Sequence, residues 1–508
     1  MSGQATHTNI LLIGLDGASP RLLNWLIAQG EMPYLRALTA GDSVRPLESV
    51  LPYATPAAWS TIYTGVDPGA HGVLDFTDWL NPAAPLVDST SLRAPAIWQR
   101  LSEQSRRVAM IAFPLTYPPP VVNGVMVSGL PSPHRGATWA YPADFDGLLK
   151  SIEGFLPDPE MTSPWVKPEA SIARLERHVQ AVAQAALAAH ERYGQQGWDL
   201  FGVQFQALDT FQHMFWAWVD PEDVRHDKLP NAQKQRACAF FRVLDEAIHQ
   251  LVDRLSPQEI VLLSDHGFGP AYEAVCLNHL LLDSGLLKLA VTPARLRAQL
   301  WAQRLLKRLD VLRLRARLKF SPRPNVAMRE LSRWMRDDLI DRAGSAAVNL
   351  SGGYCGLIQA QPSCEEQVKA TLLQARHPLQ GTPLIKSVHF PTDVWHGRWA
   401  EAWRSLAIVQ PEEGYVIDSH LRPYGAVAPI SAGLTGTHRP TGILWTTLAT
   451  LRSARTIQDI APGILAALGI EPSASAAEPV AAAKQPTADY TAEDQRAIEE
   501  RLRRLGYL

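Results

Sequence analysis

The sequence predicts an α/β protein with a mostly parallel central sheet flanked by helices and interrupted by an inserted lobe. Three observations carry this expectation. Short apolar runs of strand length, rich in β-branched residues, end in polar or glycine-containing turns at Ile10 to Leu15, Val108 to Phe113, Val125 to Ser128, Leu200 to Phe205 and Ile260 to Leu263. Helical patterns alternate with them, as at Ser171 to Ala189 and Ala237 to Leu255, and alternation of this kind belongs to layered α/β sheets. The stretch from about 271 to 430 breaks the rhythm with an arginine-rich segment, Gly352-Gly353-Tyr354 and many prolines, and reads as the insert.

The expected organisation is a catalytic core over 1–270, the insert over 271–430, a closing part of the core over 431–470, and a linker with a terminal helix over 471–508. The linker expectation rests on the low-complexity run after Ile470. The helix expectation, from about Ala492 to Leu505, rests on an apolar stripe at Ile498, Leu502 and Leu505 that predicts docking.

A chain of 508 residues, 46% hydrophobic and 19% charged, can bury a large core. A formal net charge of -2 provides no global attraction to nucleic acid, so no nucleic-acid partner is expected. Four cysteines, Cys238, Cys276, Cys355 and Cys364, form no C-x-x-C pair and fit a reducing compartment. With no signal peptide pattern at the N-terminus and no apolar run long enough to span a bilayer, a cytoplasmic protein is expected.

Ligands of open α/β sheets gather at the carboxyl ends of strands. Ile10 to Leu15 runs into Asp16-Gly17, Leu200 to Phe205 leads to Asp209 and His213, and Ile260 to Leu263 ends at Ser264-Asp265-His266-Gly267; Gly436-Thr437-His438-Arg439 follows later. Carboxylate oxygen and imidazole nitrogen suit zinc, and also manganese or iron. Six such donors at four strand or loop ends can build two neighbouring metal sites, the arrangement that clamps attacking and leaving oxygens in phosphoryl displacement. Thr55, followed by Pro56 at the start of a helical segment, offers a hydroxyl nucleophile. Taken singly, an Asp-Gly after a strand is a turn and a D-x-x-x-H is an exposed helix face. Adjacent Asp and His after a fully apolar strand are harder to explain structurally.

Together, Asp16-Gly17, Thr55 with Thr64-Gly65 and His71-Gly72 behind it, Asp209 with His213, Ser264-Asp265-His266-Gly267 and Gly436-Thr437-His438 resemble the alkaline phosphatase superfamily, especially its type I phosphodiesterase and nucleotide pyrophosphatase branch. Ala58-Trp59-Ser60-Thr61, Pro114-Leu115-Thr116-Tyr117-Pro118, Gln212-His213-Met214-Phe215-Trp216 and the terminal Leu505-Gly506-Tyr507-Leu508 are similar to a group described as predicted phosphohydrolases or phosphomutases. The resemblance implies an alkaline phosphatase-like fold with two divalent ions, zinc or manganese. Asp16, Thr55, Asp265 and His266 would hold one, and Asp209, His213 and His438 the other. It also implies hydrolysis of a phosphate diester or monoester through phospho-threonine at Thr55, with phosphoryl transfer by a mutase or phosphotransferase as the alternative and a non-catalytic scaffold as a second.

The chain departs from neighbouring branches. Thr55 lies in no C/S-x-P-x-R pattern, which tells against sulfatase chemistry, and Asp75-Phe76 stands where nucleotide pyrophosphatases carry a phosphate-binding asparagine. From Arg295 to Arg323, ten Lys or Arg face the single acid Asp310 among interspersed leucines. A solvated helix is the plain interpretation; a lid or a peripheral contact with anionic lipid is the alternative, and the latter would extend the substrate class from small molecules to lipid-linked phosphate esters. His178, His190 and His249 sit in helical patterns, and His71 in a turn that it is expected to shape. Trp59 and Trp216 lie close to candidate site residues, as pocket wall or core.

Overall fold

The computed structural model describes residues 8–78, 86–159, 167–292, 294–301, 339–422, 424–430, 433–471 and 490–505. The chain divides into two compact units, the first Met1–Ala271, Thr392–Trp403 and Ser431–Leu508, the second Tyr272–Pro391 and Arg404–Ile430. Thr392–Trp403, within the stretch expected as an insert, thus clusters with the first unit.

The first unit is built on eight strands: β1 (Thr8–Leu15), β2 (Arg45–Glu48), β3 (Val108–Phe113), β4 (Gly124–Ser128), β5 (Ala140–Tyr141), β6 (Trp198–Phe205), β7 (Pro257–Leu263) and, last in the chain, β16 (Thr441–Thr446). Their order is β2-β16-β7-β1-β6-β3-β4-β5. The five strands β7, β1, β6, β3 and β4 run parallel, while β16 and β5 pair antiparallel towards the edges. Parallel strands are covered on both faces, which is why their sequences read as continuous apolar runs rather than alternating ones. Ile10, Leu11, Ile13, Val108, Ile111, Leu200, Val203, Val261 and Leu263 are all buried.

Helices Pro168–Tyr193 and Asn231–Leu255 pack on each other and carry the expected amphipathic stripes. Arg236 joins them through a fork of hydrogen bonds of 2.5 and 2.6 Å to Glu176. Helix Thr55–Thr64 is buried along its whole length and ends at Gly65, whose φ of 75° stops the helix in the left-handed region.

In the second unit, β9 (Ala347–Asn349), β10 (Gly356–Ala360), β11 (Ile385–His389) and β12 (Leu406–Pro411) form an antiparallel sheet of order β11-β12-β10-β9. Strand β8 (Gly267–Cys276) begins in the first unit, where it pairs with β15 (Gly436–Arg439); its later residues join β13 (Gly414–Asp418) and β14 (Val427–Pro429). Among the described residues no helix is long and apolar enough to cross a membrane. Most of the basic run after Arg295, the linker from 472 to 489 and Gly506-Tyr507-Leu508 lie outside the described residues.

The terminal helix Ala492–Leu505 docks as its stripe predicts, with Ile498 and Leu502 fully buried. Arg501 donates to the Ser132 carbonyl and stands 3.4 Å from Asp158, a fully buried carboxylate that also pairs with His134. Burial alone would raise the Asp158 pKa, yet Arg501 and His134 hold it below the usual value. A depressed carboxyl pKa stabilises the fold above its unfolded value and loses that contribution as pH falls. Arg501→Ala is therefore expected to cost about 2 kcal/mol at neutral pH, less than the about 3–5 kcal/mol of a fully orphaned buried charge because His134 remains. Denaturant melts of both proteins at neutral and acid pH check this; the difference should shrink in acid.

Candidate active site

Each strand end contributes through a short, specific turn. After β1, Gly17 has a φ of 69°, and a Cβ there would lie 2.8 Å from the Phe268 ring, so the turn requires glycine. Its backbone N–H donates to Asp265 Oδ1 at 3.2 Å, which joins the ends of β1 and β7. Ser264 secures the same junction, donating to the Ala18 carbonyl and accepting from the Ile443 N–H at 3.0 Å. Asp209 and His213 are one turn apart on helix Ala207–Val219 and so share a face. His438 sits within β15, opposite Phe268 in register, rather than at a loop end.

These placements bring all seven candidate residues into one connected, fully or almost fully buried cluster. His266 Nε2 lies 3.6 Å from Asp16 Oδ1, 3.3 Å from Asp265 Oδ2 and 3.3 Å from Thr55 Oγ1. On the other side, His438 Nε2 lies 3.0 Å from Asp209 Oδ1 and 3.1 Å from His213 Nε2, and His213 Nε2 lies 3.6 Å from Asp209 Oδ2. The His266 and His438 rings stack at 3.7 Å, linking the halves. Asp209-His213-His438 and Asp16-Asp209-His266 each bring ligand atoms within 4.8 Å of one another.

The proton positions follow from the partners. The Nδ1 atoms of His266, His213 and His438 face the carbonyls of Gly267, Gly436 and Tyr53 at 3.0, 3.1 and 3.1 Å. A carbonyl only accepts, so each Nδ1 carries the hydrogen. Burial pushes the His213 pKa down to about 4 and that of His438 to about 3, and holds His266 well below its usual value, so none is doubly protonated at neutral pH. Three bare Nε2 lone pairs therefore converge on carboxylates. Asp16 Oδ1 and Asp265 Oδ2 accept no hydrogen bond among the described residues. Burial, followed for Asp16 by the Asp265 and Asp209 charges and for Asp265 by that of Asp209, drives both pKa values well above the usual range. Lone pairs facing lone pairs at about 3 Å in a dry site repel unless a cation lies among them. Such a donor set, with these tautomers and carbonyl partners, could hold a divalent ion.

Two residues complete the Asp16 support. Trp59 Nε1 and Gln204 Nε2 both donate to Asp16 Oδ2, at 2.9 and 2.6 Å. Trp59 is thus a buried residue with a polar task, and its spacing of four from Thr55 was the available signal. Gln204 was missed; an amide inside the otherwise apolar β6 end marks it. Phe268 meets the His213 ring edge-on at 4.8 Å and stacks on Trp216, which is fully buried.

His71 has the opposite tautomer: its Nδ1 accepts from the Val73 N–H at 3.2 Å and its Nε2 donates to Thr61 Oγ1 at 3.0 Å. Burial lowers its pKa to about 3, and it braces the turn behind the Thr55–Thr64 helix. His178 is buried against the Leu156 carbonyl, His190 accepts from Trp198 Nε1, and His249 stacks on Tyr34, all away from the cluster.

The type I phosphodiesterase / nucleotide pyrophosphatase family model matches residues 10–332, more than half of the chain. The chain belongs to this family. Membership in it makes the protein a phosphoester hydrolase by class and meets the expectation drawn from the motifs. Six of the seven cluster residues lie within the match; His438 lies beyond it and joins through the β8–β15 pairing. Phosphonoacetate hydrolase from Sinorhizobium meliloti 1021 is similar in structure, in complex with phosphonoformate (16% identity, TM-score 0.51) and with phosphonoacetate (15%, 0.52), each comparison covering 91% of this chain and 96% of that one. Murine ectonucleotide pyrophosphatase / phosphodiesterase 5 follows at 12% identity and a TM-score of 0.46, with the same coverage. At these identities the likeness to phosphonoacetate hydrolase concerns the fold alone, the α/β architecture that the sequence predicted. No curated protein matches the chain.

Proposed function

We propose that the protein hydrolyses a phosphate diester or monoester, small or lipid-linked, with Thr55 as nucleophile beside two divalent cations, zinc or manganese. The observation that carries the reading is the gathering of three unprotonated Nε2 atoms and two unbonded carboxylate oxygens in one buried cluster, with the Thr55 hydroxyl 3.3 Å from one of them, His266 Nε2. Asp16, Thr55, Asp265 and His266 would hold one cation and Asp209, His213 and His438 the other. Such a pair lends Lewis-acid charge to the phosphoryl oxygens and lowers the pKa of a bound hydroxyl.

Thr55 is the first residue of helix Thr55–Thr64, so the helix N-terminus adds favourable partial charge for the phosphoryl group. The Thr55 hydroxyl gives up its proton to solvent and its Oγ forms a bond to phosphorus as the ester oxygen leaves with its electron pair and takes up a proton, giving phospho-threonine. Attack by water then breaks the Oγ–P bond and restores the hydroxyl. Two in-line displacements retain configuration at phosphorus. The same intermediate can discharge to an alcohol, which is transfer rather than hydrolysis. The proposed cytoplasmic placement rests on cysteine usage, since Cys238, Cys276, Cys355 and Cys364 form no C-x-x-C pair.

The test is turnover of an aryl phosphodiester beside the matching monoester, after chelation and re-addition of zinc or manganese, with and without an added alcohol. Turnover lost on chelation and restored by metal supports the reading and ranks the two esters. Alkyl phosphate as the main product assigns transferase activity. Turnover unaffected by complete metal removal, or its absence with every metal, sinks the proposal.

Protonation supplies a further prediction. The raised pKa values of Asp16 and Asp265 stabilise the metal-free fold below the unfolded carboxyl value of 3.8, and that contribution is lost as pH rises through the folded values. The depressed imidazoles do the reverse, contributing above the unfolded value of 6.5 and losing it as pH falls towards about 4 for His213 and about 3 for His438. Cation binding replaces the carboxyl protons, so the rise in Tm on adding zinc should grow as pH is raised above the unfolded carboxyl value of 3.8. Thermal melts with and without metal across that range measure it; a shift that shrinks with pH contradicts the prediction.

A further inference from the structure

After helix Ala207–Val219 the chain turns through Asp220 and Asp223, and this turn is tied to the His213–His438 half of the site by one side chain. Arg225 Nε and Nη2 grip the Asp223 carboxylate at 2.8 and 2.6 Å, and the Arg225 N–H donates to the same Oδ1 at 2.9 Å. The guanidinium also donates from Nη1 to the Ala271 carbonyl at 2.9 Å and from Nη2 to the Thr435 carbonyl at 2.7 Å. Ala271 and Thr435 face each other where β8 leads into its pairing with β15, the Ala271 N–H donating to the Thr435 carbonyl at 3.0 Å.

Thr435 touches the site directly through the backbone. Its N–H donates to the His213 carbonyl at 2.7 Å, and the carbonyl of the next residue, Gly436, receives His213 Nδ1. Two residues further on is His438. The segment that fixes the His213 ring and the segment that carries His438 are thus one strand, and Arg225 holds the residue just before it, Thr435, against the turn that ends the His213 helix. Asp223 has no exposed side-chain surface, so the fork is fixed at its base.

We propose that Arg225, oriented by Asp223, is a positioning residue that sets the distance between His213 and His438, an inference that rests on the two-cation reading above. Outer partners of this kind tune metal affinity by orienting the ligands. Lysine keeps the charge but is a single point donor group, without the planar fork that matches a carboxylate and two carbonyls together.

The test compares zinc affinity of wild type, Arg225→Lys and Arg107→Lys, as full-length proteins, by competition with a chromophoric chelator, alongside Tm of the metal-free forms. Arg107 is the matched control. It clamps the Gly197 and Tyr193 carbonyls in the same manner, but just before β3 and β6, at the amino ends of strands and away from the site. The expected result is a fall of about 10- to 100-fold in affinity for one zinc equivalent in Arg225→Lys, the other unchanged, with kcat recovered at saturating zinc. Arg107→Lys should lower Tm and leave both affinities at the wild-type values. Unchanged affinities in Arg225→Lys, or an equal fall at both sites, overturn the inference while leaving the two-cation reading intact. Wild type binding fewer than two zinc ions overturns that reading and this inference with it.

Discussion

Replacing Thr55 with alanine is expected to abolish turnover of both aryl phosphate esters, by on the order of 10³- to 10⁶-fold in kcat, while the cation proposed at Asp209, His213 and His438 is retained. On the proposed mechanism the substitution removes the group that would bond to phosphorus and with it the covalent route, and losses of this size, about 4–8 kcal/mol of transition-state stabilisation, accompany the loss of a nucleophile. Thr55 is fully buried at the head of a buried helix, and among the described residues its hydroxyl has one close side-chain partner, His266 Nε2 at 3.3 Å. The alanine variant should therefore fold, since the deletion removes one hydroxyl and one methyl group and leaves Pro56 and the helix start in place. Thr55→Ser keeps the oxygen and should retain measurable turnover, which separates loss of the nucleophile from disturbance of the turn. Mass spectrometry after acid quench should find phosphate on residue 55 in wild type and in Thr55→Ser. Turnover by Thr55→Ala within about tenfold of wild type would falsify the nucleophile assignment.

How much of this was legible beforehand depended on the range of the interaction. The strand ends were readable because buried parallel strands are continuous apolar runs, so a carboxylate at the end of one, as at Asp16 or Asp265, stands out against its background. Asp209 and His213 were readable because the helical period puts them on one face. His438 was different: the sequence offered it as a donor at a strand or loop end, but it reaches the cluster from within β15 through antiparallel pairing with β8, which its local pattern does not show. Gln204 and Trp59 escaped assignment because their polar atoms serve Asp16, far away in sequence, while their bodies look like ordinary core. Trp395 makes the same point. It donates to the Leu51 carbonyl, four residues before Thr55, from a segment that sequence reading placed in the insert. Such contacts depend on which loops the fold brings together, and single-sequence periodicity carries no information on that.

Asp209→Asn is the variant expected to affect metal content most, and to do so without weakening the metal-free fold. Asp209 is common to both groups of converging ligand atoms, with Oδ1 against His438 and Oδ2 towards His213, and its charge acts on Asp16, Asp265 and His266. An amide of the same shape removes one of three clustered carboxylate charges and brings an N–H that can donate to the bare Nε2 of His438. In the metal-free protein both changes are favourable, because they relieve like-charge repulsion and pair a buried lone pair. In the metal-bound protein both are unfavourable, because the cation loses an anionic ligand and must displace a hydrogen bond. The expected outcome is a metal-free Tm equal to or above that of wild type. Loss of the zinc equivalent bound by His213 and His438 should accompany it, by more than the about 10- to 100-fold that follows removal of an outer partner, with kcat down on the order of 10³-fold or more. Zinc content by elemental analysis and paired thermal melts read both halves. Opposite movement of the two is the signature of a ligand, since a residue that merely holds the fold would lower stability with and without metal; a full zinc complement with wild-type turnover would remove Asp209 from the site.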